Sequence, residues 1–115
     1  MEGTFQDRQH PRIASLNLVC FTRYDEKGFP VYENIGRTKD LSAGGILLEC
    51  NQNFPICAQL EIVVAAHEQL VTAMGEVKRV EAIPGSKKFD VGIKFIKISE
   101  RNRESINKFL EREII

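Results

Sequence analysis

The sequence predicts a six-stranded antiparallel β-barrel with a C-terminal α-helix and a flexible N-terminal arm. Three observations carry this expectation. Six runs rich in Leu, Val, Ile, Phe and Thr are separated by turn-forming residues, and several alternate apolar with polar positions. Gly75 interrupts the longest run, as glycine does where a strand bulges or a barrel turns a corner. From Ser99 onward the apolar period changes from that of a strand to that of a helix. At 115 residues the chain fits one domain, and 43% apolar residues are enough to fill a core.

The elements follow in order. Residues 1–12 are polar and aperiodic and read as the arm; residues 13–115 read as the barrel with its helix. Ile13 to Tyr24 forms the first strand. Asp25 to Gly28 is turn chemistry, followed by Phe29 and Pro30, and Val31 to Lys39 returns as the second strand of a hairpin. Asp40 to Gly45 reads as a turn, Gly45 to Cys50 as a short strand, and Asn51 to Pro55 as a break. Gln59 to Ala66 places Leu60, Ile62 and Val64 on one face. Leu70 to Ile83 is the long strand, Pro84-Gly85-Ser86 a turn, and Phe89 to Ile98 the last strand, with Val91, Ile93 and Phe95 sharing a face. Ser99 caps the helix and Glu100 suits its dipole. Ile106, Phe109, Leu110 and Ile114 make the stripe that packs over the barrel.

Composition narrows the function. Sixteen basic and sixteen acidic residues leave no net charge, against a general affinity for nucleic acid or an anionic membrane. An anionic ligand must therefore be held by local geometry. An oligonucleotide-binding barrel would call for a basic stripe with stacking aromatics, and the chain has no Trp. Three cysteines without paired spacing argue against a disulfide framework and for a reducing compartment; Cys20 and Cys50, in apolar runs, read as buried thiols. With only His10 and His67 besides, no metal site is expected. No stretch has the length of a membrane span and no start resembles an export signal. Neither Ser42, His67 and Asp40 nor any other set carries a nucleophile-elbow pattern, so no enzyme is expected.

Two segments carry chemistry. Arg8 and Arg12 stand four apart on a stretch stiffened by Pro11. A guanidinium fork can pair with phosphate oxygens or with the O6/N7 edge of guanine, and can stack on a base. Asp40 and Ser42 alternate, so both side chains face one way in an extended segment. The carboxylate can accept from guanine N–H groups or hold an arginine; the hydroxyl can donate to phosphate. Ala43-Gly44-Gly45 lets backbone amides approach a ligand. Each segment alone also fits an ordinary surface, as solvated arginines or a routine Asx turn. His10 reads as solvent-facing filler and His67 is given no role. Lys78-Arg79 and Lys87-Lys88 read as a solvated strand edge or turn. Arg37 and Lys39 add positive potential near Asp40 without contacting ligand.

Taken together these segments resemble the PilZ domain family, the bacterial receptor module for cyclic di-GMP. Arg8 and Arg12 fit its Arg-x-x-x-Arg motif; Asp40, Ser42 and Gly45 fit its Asp/Asn-x-Ser-x-x-Gly motif. Gly75-Glu76-Val77 and Val91-Gly92-Ile93-Lys94-Phe95 are similar to its framework motifs, so the likeness runs through nearly the whole chain. The resemblance implies a six-stranded barrel with a closing helix. It implies cyclic di-GMP as ligand, bound by Arg8, Arg12, Asp40, Ser42 and Gly45, with lesser contributions from Asp7 and Gly44, and no cofactor. It implies no catalysis: the arm closes over the barrel, and that change signals to a partner protein in the bacterial cytoplasm. Asp7 departs from the family pattern, because its carboxylate can pair with Arg8 or repel ligand phosphate. The alternative expectation is a nucleotide-independent adaptor of the same fold.

Overall fold

Each strand of alternating pattern has one face that must leave water, and a closed cylinder buries all of them while leaving no strand edge unpaired. The computed structural model, which describes residues 18–66 and 69–114, shows that solution. The strands are β1 (Leu18–Tyr24), β2 (Pro30–Leu41), β3 (Gly45–Cys50), β4 (Gln59–Ala66), β5 (Gln69–Ala82) and β6 (Phe89–Lys97), followed by helix α1 (Glu100–Ile114). They pair antiparallel in the closed order β1-β2-β3-β6-β5-β4, with β4 returning to β1. The six strands and terminal helix agree with the expectation. Residues 13–17 of the expected first strand, and the whole of the expected arm, lie outside the described residues.

The interior is filled by inward positions of every strand. Val19 and Phe21 come from β1, Leu41 from β2, Leu48 from β3, Leu60, Ile62 and Val64 from β4, Val71 and Val77 from β5, and Val91, Ile93 and Phe95 from β6. Phe54, in the segment after β3, also enters the core and meets Phe21 edge-on at 5.5 Å. Ser99 caps α1 by accepting from the Asn102 N–H at 3.0 Å. Ile106, Phe109 and Leu110 are buried as the helix packs on β5 and β4. The α1 stripe thus behaves as read from its spacing, Ile114 aside, whose side chain lies outside the description.

The structure corrects three readings. Asp40 belongs to β2, which continues to Leu41, and not to a turn: Asp40 pairs with Leu47 and Leu41 with Ile46. Cys20 is exposed, because Val19 and Phe21 take the inward positions of β1 and send Cys20 outward; Cys50 is buried as expected. Lys78 and Arg79 do not lie on a free edge, since β5 is paired on both sides.

Four register shifts bend the barrel: at Arg23/Tyr24, where Val31 of β2 is extra; at Thr38/Asp40, where Lys39 of β2 is extra; at Met74/Gly75, where Ile96 of β6 is extra; and at Val77/Arg79, where Lys78 of β5 is extra. The shift at Gly75 agrees with the bend read from the glycine. The shifts at Lys39 and Lys78 matter for function. Each inserts one extra residue, Lys39 and Lys78, and so changes which way the next side chain points.

Candidate functional site

The two bulges set one outward row. Thr38 points into the barrel and pairs with Leu48; the extra Lys39 lets Asp40 come out, opposite Leu47. Val77 points inward opposite Ile93; the extra Lys78 lets Arg79 come out, opposite Gly92. Leu47 pairs in turn with Gly92. Asp40, Leu47, Gly92 and Arg79 therefore form a single cross-strand row over β2, β3, β6 and β5. An open groove of about 730 Å³ lies over it, bordered by Asp40, Ser42, Gly44 and Gly45 on one side and by Lys78, Arg79 and Lys94 on the other.

The turn after β2 is tightly tied. The Ser42 N–H donates to the Gly45 carbonyl at 2.9 Å, and the Gly44 N–H donates to the Ser42 hydroxyl at 3.2 Å. The hydroxyl proton faces the Gly45 carbonyl at a long 3.4 Å, a weak contact that a ligand oxygen can replace. The Phe95 N–H holds the Gly44 carbonyl at 2.9 Å, and Arg103 of α1 donates to the Ala43 carbonyl at 3.3 Å. Sheet and helix both anchor this turn. Gly45 is required by close approach: a Cβ there would stand 2.3 Å from the Ile93 carbonyl oxygen. At Gly44 the nearest atom to a Cβ is the Ser42 hydroxyl at 4.0 Å, so its glycine answers no packing demand.

Ion pairs divide the nearby charges. Lys39 pairs with Asp90 through both carboxylate oxygens at 3.1 Å. Arg37 pairs with the buried Glu49 at 3.2 Å, and Lys88 reaches the same carboxylate at 3.5 Å. Arg37 and Lys39 are thus each held by a carboxylate, and neither lines the groove. Lys78 pairs with Glu76 at 3.0 Å, and that hydrogen bond holds the Glu76 carboxyl below its usual range. Arg79 has no ion-pair partner among the described residues. The groove wall therefore carries cations although the chain is neutral overall.

Of the residues read from sequence, Asp40, Ser42, Gly44 and Gly45 meet at this groove. Arg8, Arg12 and Asp7 lie outside the described residues. Leu18, where the description begins, pairs with Arg37, three residues before Asp40. Sequence reasoning missed Arg79. A signal existed: an unbroken alternation through Val71, Ala73, Gly75 and Val77 would bury Arg79, and a charge at an inward position announces a bulge. Among the described residues no group of His, Cys, Asp and Glu is arranged to hold a metal, and no helix is long and apolar enough to cross a membrane.

A closed six-stranded barrel with a terminal helix carries the Asp-x-Ser-x-x-Gly segment at the end of β2 and the turn after it, beside an open groove. The PilZ domain profile matches residues 6–112, and the chain belongs to the PilZ domain family. A search of curated proteins by sequence gave no match. Among solved structures, the motility inhibitor MotI/DgrA of Bacillus subtilis is similar at TM-score 0.69 and 19% identity, covering 94% of this chain and 51% of its own. Apo MrkH of K. pneumonia is similar at TM-score 0.72 and 20% identity, covering 99% of this chain and 53% of its own. The PilZ domain of Escherichia coli YcgR, solved with c-di-GMP, is similar at TM-score 0.64 and 14% identity, covering 94% and 92%. At these identities the likeness is one of fold, and the chain spans about half the length of the MotI and MrkH chains.

Proposed function

We propose that the chain is a cyclic di-GMP receptor that signals through a partner protein. Arg8 and Arg12, on an arm formed by residues 1–12, close over the groove and meet guanine and phosphate. Asp40 accepts from guanine N–H groups or holds one of the arginines, Ser42 donates to phosphate, and Gly45 keeps the turn against β6. No cofactor and no catalytic step enter this reading. The observation that supports it most is the convergence of Asp40, Ser42 and Gly45, the family's motif positions, on a groove with cations along its far wall. The PilZ domain of YcgR, with c-di-GMP bound, is a structural neighbour. The test is a calorimetric titration of folded protein with cyclic di-GMP; heat saturating at tens of micromolar or below supports the reading, and none overturns it.

One observation favours a second reading, a nucleotide-independent adaptor. Leu18, Ile35 and Leu70 stand 66%, 55% and 72% exposed on the outer face of the barrel. Ile35, Cys20 and Val63 form one row across β2, β1 and β4. Such a face fits a protein partner held without nucleotide. An adaptor holds its partner equally with and without nucleotide, whereas a receptor changes that affinity when cyclic di-GMP is added.

A further inference from the structure

Resting on the reading of the groove as a cyclic di-GMP site, we propose that Arg79 is a guanine-reading residue: its guanidinium, reaching past Gly92, donates to the N7/O6 edge of one guanine set over Leu47. No motif of the chain assigns it this role. The geometry does so in three steps.

First, the bulge at Lys78 keeps Arg79 on the outer face, in register with Gly92, Leu47 and Asp40. The row spans three inter-strand steps, roughly 14 Å. That leaves room for a purine between a carboxylate at one end and a guanidinium at the other. Second, Gly92 has no side chain to block the Arg79 stem. A Cβ there would contact the Arg79 Cβ at 3.6 Å and its Nε at 4.0 Å, so the Arg79 stem leans across β6 into the groove. Leu47, half-buried, supplies the apolar surface on which a base can lie. Third, the charges are allotted unequally. Lys78 is held by Glu76 at 3.0 Å, while Arg79 is exposed and has no ion-pair partner among the described residues.

Chemistry then selects the base. Guanine presents two acceptors, N7 and O6, to a forked donor. Adenine offers N7 beside an amino group, which repels the same fork. Arg79 thereby adds discrimination from a fixed strand position, distinct from the contacts of Arg8 and Arg12.

The test pairs residue and ligand atom in a double cycle. Wild type, Arg79→Ala and Arg79→Lys are titrated calorimetrically with cyclic di-GMP and with its 7-deazaguanine analogue, after thermal melts confirm the fold. Arg79→Ala is expected to weaken cyclic di-GMP binding about tenfold, the size of one charge-assisted contact. The lysine variant keeps charge without the fork and recovers only part of that loss. Loss of N7 is expected to cost the wild type about tenfold more than it costs Arg79→Ala. Unchanged affinity in Arg79→Ala, or an equal N7 penalty in both proteins, overturns the role of Arg79 and leaves the receptor reading standing. A folded wild type that binds no cyclic di-GMP overturns both. Where alanine disturbs the fold, the lysine variant with the same two ligands decides.

Discussion

Replacing Gly45 by alanine tests the account of how the site is held. The new Cβ would stand 2.3 Å from the Ile93 carbonyl oxygen and 3.4 Å from the Lys94 Cα. A relaxed carbon–oxygen contact needs roughly 3.3 Å, so β3 must retreat from β6 by about 1 Å at the pairing of Gly45 with Lys94. Both obstacles are backbone, so no side chain can swing aside. Overpacking of this kind costs about 1–3 kcal/mol, and a strained ladder bond places the value near the upper part, about 2.5 kcal/mol. The unfolding entropy of a 115-residue chain is about 0.24 kcal/mol/K, so Tm falls by about 10 °C. Thermal unfolding followed by circular dichroism reads this directly. Gly44→Ala is the internal control: a Cβ there meets nothing nearer than 4.0 Å, and stability is expected to hold or rise slightly. A Gly45→Ala melt within about 2 °C of wild type, or equal losses at both glycines, would refute the reasoning.

Three further outcomes follow from the same structure. Thr38 is buried in the barrel with its hydroxyl unpartnered, so Thr38→Val should raise stability by about 1 kcal/mol, read as a Tm gain; a loss would mean that the hydroxyl has a partner. Arg103→Ala frees the Ala43 carbonyl and should weaken cyclic di-GMP binding about twofold while moving Tm little, since an exposed contact of this kind is worth about 0.5 kcal/mol; unchanged affinity by calorimetry refutes its role in positioning the turn. Lys78→Gln should raise the Glu76 pKa toward the usual carboxylate value, measured by carbon NMR titration. Because the folded pKa is depressed, what the pair adds to stability is present above the unfolded pKa and lost as pH falls through the folded one; the variant should lose that dependence, and an unshifted Glu76 pKa would show the ion pair to be idle in solution.

Strand identity was legible because burial imposes a period of two. Leu60, Ile62 and Val64, and Val91, Ile93 and Phe95, are buried as their alternation requires. The cap at Ser99 and the stripe of α1 were legible for the same local reason. Bulges were less so, because an inserted residue has no composition of its own. Gly75 lies opposite one, whose extra residue is Ile96 of β6, but Lys39 and Lys78 look like any exposed lysine. Hence Asp40 was read as turn and Arg79 as edge, although the bulges place both on one outward row. Cys20 was misread because Leu18, Cys20 and Ile35 are apolar side chains that face outward, against the usual sense of the alternation. The pairing of β3 with β6 and of β1 with β4 joins residues far apart in sequence, and no local signal encodes it. The charge balance of the groove was hidden in the same way, since the pairings of Lys39 with Asp90 and of Arg37 with Glu49 cross strands.

Calorimetric titration of the folded protein with cyclic di-GMP, run beside Arg8→Ala and Arg12→Ala, tests the receptor reading most directly. Saturable binding is expected for the wild type, with Arg12→Ala at least about tenfold weaker, as loss of a contact worth about 1.5–3 kcal/mol requires. Absence of heat with folded wild-type protein, or the same dissociation constant in all three, would contradict it.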